Sequence, residues 1–167
     1  LFVRFPRTMS FKYGGSFKSQ DGEMSPTRAQ TLQEEPLFRE GVELFDAGDF
    51  SSSVSKFTSI LAPLKTKEDK LKENRYVHAL IYRSRCFESM ERWDDLLIDG
   101  SELVDLYSDR PDGYEMMGVA YLHLENYDKA NEVCERGMKI PHMNKEHKII
   151  LLQTLHAIDE KRLMELP

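Results

Sequence analysis

The 167-residue chain is 40% hydrophobic and 31% charged, a balance that suits one soluble helical domain with some length to spare. No apolar run approaches the roughly 20 residues of a membrane-spanning helix. Two cysteines, Cys86 and Cys134, are too few for a disulfide framework and read as buried, reduced thiols. The net charge of −6 is unevenly spread: residues 1–30 hold five basic and two acidic side chains, which leaves the remaining body at −9. An acidic body counts against a nucleic-acid backbone as partner and favours basic or apolar protein partners.

Residues 1 to about 32 lack a helical period and contain Pro6, Gly14-Gly15-Ser16 and Pro26, so a flexible segment is expected. Apolar Phe2, Phe5 and Phe11 alternate there with basic Arg4 and Arg7, the chemistry of a short peptide that docks in a groove. Other readings stay open. The stretch has no acidic residue before Asp21, as in a mitochondrial presequence. Gly14-Gly15-Ser16 equally fits a linker joining a fused ligand peptide to the rest, and a disordered tail is the third reading. The first residue is Leu rather than Met, as in a fragment or a processed product.

From residue 33 onward the chain reads as helices. Glu34-Glu35-Pro36 opens the first, to about Asp46, because acidic residues and proline are both favoured in a first turn. Its partner runs from Phe50 to Leu61 and stops before Pro63. Lys65 to Arg75, KTKEDKLKENR, is rich in charged helix formers and predicts an N-terminal extension of the next helix. Its plainest reading is a solvated face, with a binding spur as the alternative. Two helices follow to about Tyr107, and Asp109-Arg110-Pro111-Asp112-Gly113 is the next break. Another pair covers Tyr114 to Gly137. Asn144 caps a last helix over Lys145 to Glu165, where Ile149, Leu152, Leu155, Ile158 and Leu163 recur near helical spacing.

Three of these turns carry one pattern: Ala47-Gly48-Asp49-Phe50, Met90-Glu91-Arg92-Trp93 and Leu124-Glu125-Asn126-Tyr127. The aromatics of the last two are 34 residues apart, and those of the first two 43. In the clearest copy, Tyr114, Met117, Gly118 and Tyr121 precede the turn, Ala130 and Cys134 follow it, and Pro141 closes it. Gly118 and Ala130 are the small residues at which two helices can approach closely. This spacing resembles the tetratricopeptide (TPR) motif, W-x-x-L-G-x-x-Y, then A-x-x-x-F, then P, over 34 residues. Glu40, Arg83, Leu96 and Gly100 depart from it.

The resemblance implies an all-α fold, a right-handed superhelix of antiparallel helix pairs (an α-α solenoid). Repeats fall at about 34–66, 77–110 and 111–143, with a capping helix at 144–166. In TPR domains the first helices line a concave groove that binds extended peptides or a helix. Carried over, the groove residues are Phe38, Val42 and Phe45 from the first repeat. The second gives His78, Ile81, Tyr82 and Arg85, and the third Glu115, Met116, Val119 and His123. An apolar residue on such a helix is more often core than site. The chaperone-binding subgroup grips a terminal carboxylate with Lys, Asn, Asn, Lys and Arg. The matching positions here, Phe38, Val42, Tyr82, Asp112 and Met116, carry none of these.

No catalytic signature is present: no phosphate-cradling glycine loop, no nucleophile elbow and no Cys-pair metal spacing. His142 and His147 are five residues apart, too far round a helix to share a metal, and read as surface histidines. The expectation is a non-catalytic adaptor without cofactor or metal, whose groove takes an apolar and basic peptide from a partner or from residues 1–17. The alternatives are a structural subunit that uses its convex face or terminal helix, and an RNA-binding helical repeat. A cytoplasmic location is expected, with mitochondrial or organelle-surface association left open.

Overall fold

The computed structural model describes residues 35–64, 66, 68 and 74–164. Residues 1–34, with the docking residues Phe2, Arg4, Phe5, Arg7 and Phe11, lie outside them. Most of 65–73, the stretch expected to extend the next helix, lies outside them as well. The described residues form seven helices: α1 (Pro36–Asp46), α2 (Phe50–Leu61), α3 (Asn74–Ser89), α4 (Trp93–Leu106), α5 (Pro111–His123), α6 (Tyr127–Met138) and α7 (Lys145–Met164). Among the described residues no strand occurs, and no helix is long and apolar enough to cross a membrane.

Three turns share one set of backbone hydrogen bonds. The amide of Asp49 donates to Leu44, that of Arg92 to Phe87 and that of Asn126 to Tyr121, at 2.9, 2.8 and 2.9 Å. One residue earlier each turn enters the left-handed region, at Gly48 (φ 81°), Glu91 (φ 57°) and Glu125 (φ 58°). This is the six-to-one bond that closes a helix on a left-handed residue. Only the first copy uses the glycine that adopts this conformation without strain. Asp49 and Asn126 then cap α2 and α6 by accepting from Ser52 and Lys129. The turns therefore fold α1 on α2, α3 on α4 and α5 on α6.

These hairpins stack. The first helices touch one another in the order α1, α3, α5, α7, while α2 packs on α3, α4 on α5 and α6 on α7. The row α1-α3-α5-α7 is therefore the closely spaced, inner row. Within hairpins the approach depends on small residues: a Cβ on Gly118 would lie 2.5 Å from the Cys134 sulfur, and one on Gly41 2.9 Å from the Phe57 ring. Between hairpins, α4 crosses α5 at Gly100 and Gly113, where a Cβ on Gly100 would meet Met116 and Met117 at 3.0 Å. That crossing is why glycine, not the bulky apolar residue of the motif, stands at position 100.

The other departures also have partners. Glu40 on α1 faces Lys56 on α2 at 2.9 Å, and Arg83 on α3 faces Asp99 on α4 at 2.6 Å. Both pairs are 16 residues apart, and the corresponding third pair is Met117 and Val133, in one apolar cluster. One facing position is thus filled three ways. The first pair is half in solvent, whereas the Asp99 side chain is 2% exposed. Arg83 reaches both carboxylate oxygens of Asp99, and Ser84 donates to Asp99 as well. Leu96, the remaining departure, is buried with Phe87, Val119 and Ala120.

A buried ion pair is costly to break and much less costly to replace whole. Arg83→Met alone strands a buried carboxylate and should lower unfolding stability by about 3 kcal/mol. Arg83→Met with Asp99→Val copies the third hairpin and should recover most of that loss. Urea denaturation of both variants is the check, and a double variant no more stable than the single one refutes the argument.

Candidate functional site

The inner row changes character along its length. Between α1 and α3 it is aromatic: Tyr82 stacks on Phe57 at 5.3 Å and meets Phe38 and Phe45 edge-on, both at 5.7 Å. Phe45 also packs edge-on against Phe50 at 5.6 Å, and half-buried Val42 packs against the same cluster. Phe45 and Tyr82 keep part of their surface in solvent. Tyr82 therefore serves the core with one face and the surface with the rest.

Between α3, α5 and α7 the row is charged. Glu115 on α5 and His147 on α7 are 2.7 Å apart, and the Glu115 side chain is only 13% exposed. Burial pushes the Glu115 carboxyl up to about 7, against the pull of His147 and of Arg85 on α3. Burial opposes the charge on His147 too, but the bond and charge of Glu115 outweigh that and hold its pKa above the ordinary value. Asp112, one turn earlier on α5, is buried and paired with Arg110 at 3.2 Å. His78 on α3 lies within reach of both charges: burial first, then Arg110, lowers its pKa, while Asp112 opposes. Asn144 accepts from the His147 amide at 2.9 Å and fixes the start of α7 beside this cluster.

The structure thus sets Arg85 near Glu115 and His78 near Arg110 and Asp112, and separately brings together Val42, Phe45 and Tyr82. It does not expose all the proposed groove residues. Phe38, Ile81 and Val119 are 4%, 2% and 6% exposed and belong to the core. A first helix packs on its own partner and on the preceding hairpin, so only a narrow stripe is left free, and these residues fall outside it. Met116 is mostly taken up in the same way, against the Phe87 and Val77 clusters. His123 is exposed, but its ring lies flat on Trp93 of α4 at 3.8 Å, at the turn end of the helix and away from Glu115.

His147 is the functional candidate that sequence reasoning missed. It is not a free surface histidine. Its partner is 32 residues upstream on another helix, so spacing along one helix does not reveal it. His142 is exposed, in the turn before α7.

No family model matches the chain. Heat shock protein STI1 of Saccharomyces cerevisiae is 26% identical over 110 residues, which cover 66% of this chain but only 17% of that protein. Among solved structures, the NMR structure of the first TPR domain of the human RPAP3 protein aligns with a TM-score of 0.58 at 17% identity. That alignment covers 75% of this chain and 92% of the RPAP3 domain. The fold is that of a TPR-like domain. The three hairpin turns and the row of first helices agree with the architecture expected from the sequence, and the charged cluster is set within that row.

The cluster gives stability a pH dependence of definite sign. An unfolded glutamate titrates near 4.3, as the reference value, and folded Glu115 near 7. Between these values the folded state holds a proton that the unfolded state has lost, so stability falls as pH rises. The raised His147 acts in the same direction: its contribution is full below the unfolded histidine value and is lost as pH rises through the folded one. Glu115→Gln should remove on the order of 2 kcal/mol of the stability lost between pH 5 and 8. Denaturation midpoints across that range test this, and an unchanged slope in the variant contradicts it.

Proposed function

We propose that the chain is a non-catalytic interaction adaptor whose inner row of helices binds an extended peptide bearing aromatic or apolar and basic side chains. The observation that carries this reading is the division of the row. Phe45 and Tyr82 offer partly open aromatic surface at one end, and Glu115 offers a carboxylate at the other. Aromatic rings supply contact area at low entropy cost, and a mostly buried carboxylate supplies selection for a cation. The body's charge of −9 works in the same sense. The five positions that grip a terminal carboxylate in chaperone-binding relatives hold Phe38, Val42, Tyr82, Asp112 and Met116 here. Phe38 is buried and Asp112 is an acid, so the usual chaperone tail is not the partner proposed. Nucleic acid is not proposed either.

The chain's own residues 1–17, with Phe2, Arg4, Phe5, Arg7 and Phe11, have the required chemistry, whether they act in cis or only resemble a partner's segment. A labelled Leu1–Phe17 peptide is the probe. The receptor is the full chain with Phe2→Ser, Phe5→Ser and Phe11→Ser, so that its own segment does not compete. Binding at roughly micromolar Kd is expected, with shift perturbations on α1, α3 and α5 and at least tenfold loss in Phe45→Ala, Tyr82→Ala. The absence of binding, or perturbations confined to α2, α4 and α6, would sink the proposal.

One observation favours a second reading, a subunit of a stable complex. The α7 helix leaves Ile149, Leu152, Leu163 and Met164 exposed, and α4 leaves Ile98 exposed. Sedimentation of the purified chain separates the two: a groove adaptor stays monomeric, whereas an orphaned subunit self-associates through these residues.

A further inference from the structure

Glu115 lies where four elements meet. His147 reaches it from α7, Arg85 acts on it from α3, Asp112 flanks it on α5, and its charge is felt by Cys134 on α6. Arg110 pairs with Asp112 at 3.2 Å, and both act on His78. Arg85 and Arg110 set two cations beside three carboxylates, Glu115, Asp112 and Glu88, so with both histidines neutral the cluster has no excess of positive charge. A proton held by the Glu115–His147 pair adds one positive charge, and an incoming cation can take its place without changing the charge of the cluster. His147 is the more exposed member of the pair, at 25% against 13%, so it covers the carboxylate from the solvent side. It is held there by one side-chain bond to Glu115 and by the Asn144 cap on its backbone.

We infer that Glu115 is the groove's receptor for a basic side chain of the bound peptide, and that His147 is a built-in occupant which that side chain displaces. This inference rests on the groove reading above and deepens it. The exchange balances: the guanidinium or ammonium group binds the carboxylate, the proton shared by Glu115 and His147 leaves to solvent, and the imidazole ends neutral. Binding is therefore coupled to proton release and tightens as pH rises through the range in which the pair titrates. At low pH the pair keeps its proton and the groove reads only the aromatic part of the peptide.

The test uses the full chain with the three Phe→Ser changes in its own segment, and two labelled peptides. One is Leu1–Phe17, and the other has citrulline at positions 4 and 7, which keeps shape and removes charge. At pH 8 the citrulline peptide should bind about tenfold more weakly, the loss expected for one charge-assisted hydrogen bond. At pH 6 the two should bind nearly alike. In Glu115→Gln, which retains a hydrogen-bonding group toward His147, the difference should vanish at both pH values. On adding peptide to the wild-type groove near pH 7, the His147 ring resonances should move to those of a neutral imidazole. A citrulline penalty that survives in Glu115→Gln, or His147 resonances that stay fixed while peptide binds, overturns this inference and leaves the groove standing. No binding of either peptide at any pH overturns both.

Discussion

Arg83 and Asp99 are an ion pair taken out of water in the middle of a stack whose helices have to meet neighbours on two sides. Two charged groups in such a place are held by geometry: both nitrogens of the guanidinium fork engage the carboxylate, and Ser84 adds a third bond. Burial, with some help from Glu102, holds the Asp99 carboxyl above its ordinary value, and Arg83 opposes that rise. Because this pair fixes α3 against α4, it also fixes which stripe of α3 remains for the inner row. His78, Tyr82 and Arg85 lie on that stripe.

The same facing position shows how a degenerate repeat keeps its shape while its chemistry changes. Glu40 with Lys56, Arg83 with Asp99, and Met117 with Val133 join helices at equivalent levels, in one orientation of charge, its reverse, and none. What stays constant is the turn. The bonds from Asp49 to Leu44, Arg92 to Phe87 and Asn126 to Tyr121 do not depend on side-chain identity. Backbone closure of this kind tolerates Glu91 and Glu125 in the left-handed region at a modest cost. A sequence can therefore drift far from its motif before the hairpins are lost.

That distinction explains what could be read from the chain alone. The helix bounds at Pro36, Phe50, Leu61 and Lys145 were legible, because proline, caps and aromatic anchors act locally. The departures at Arg83 and Gly100 were visible as departures but not as solutions, since their partners, Asp99 and Met116, lie on other helices. The exposed stripe of each first helix was legible only in part. Periodicity locates an apolar face, but Phe38, Ile81 and Val119 share their helices with Phe45, Tyr82 and Glu115, and only packing decides between core and surface. His147 was illegible for a related reason. Its partner is reached across the stack rather than along a helix.

The position of His147 also ties the site to the end of the fold. The α7 helix buries Leu151, Thr154, Ala157 and Ile158 against the last hairpin and so closes the apolar core. Its first turn, capped by Asn144, carries His147 to Glu115. Covering the core and completing the charged cluster are thus done by different parts of one helix. Leu151 and Ile158, buried further along the same helix, seat the stretch whose first turn holds His147 at 2.7 Å from Glu115. The residue bonded to the Glu115 carboxylate thus belongs to the helix that covers the last hairpin.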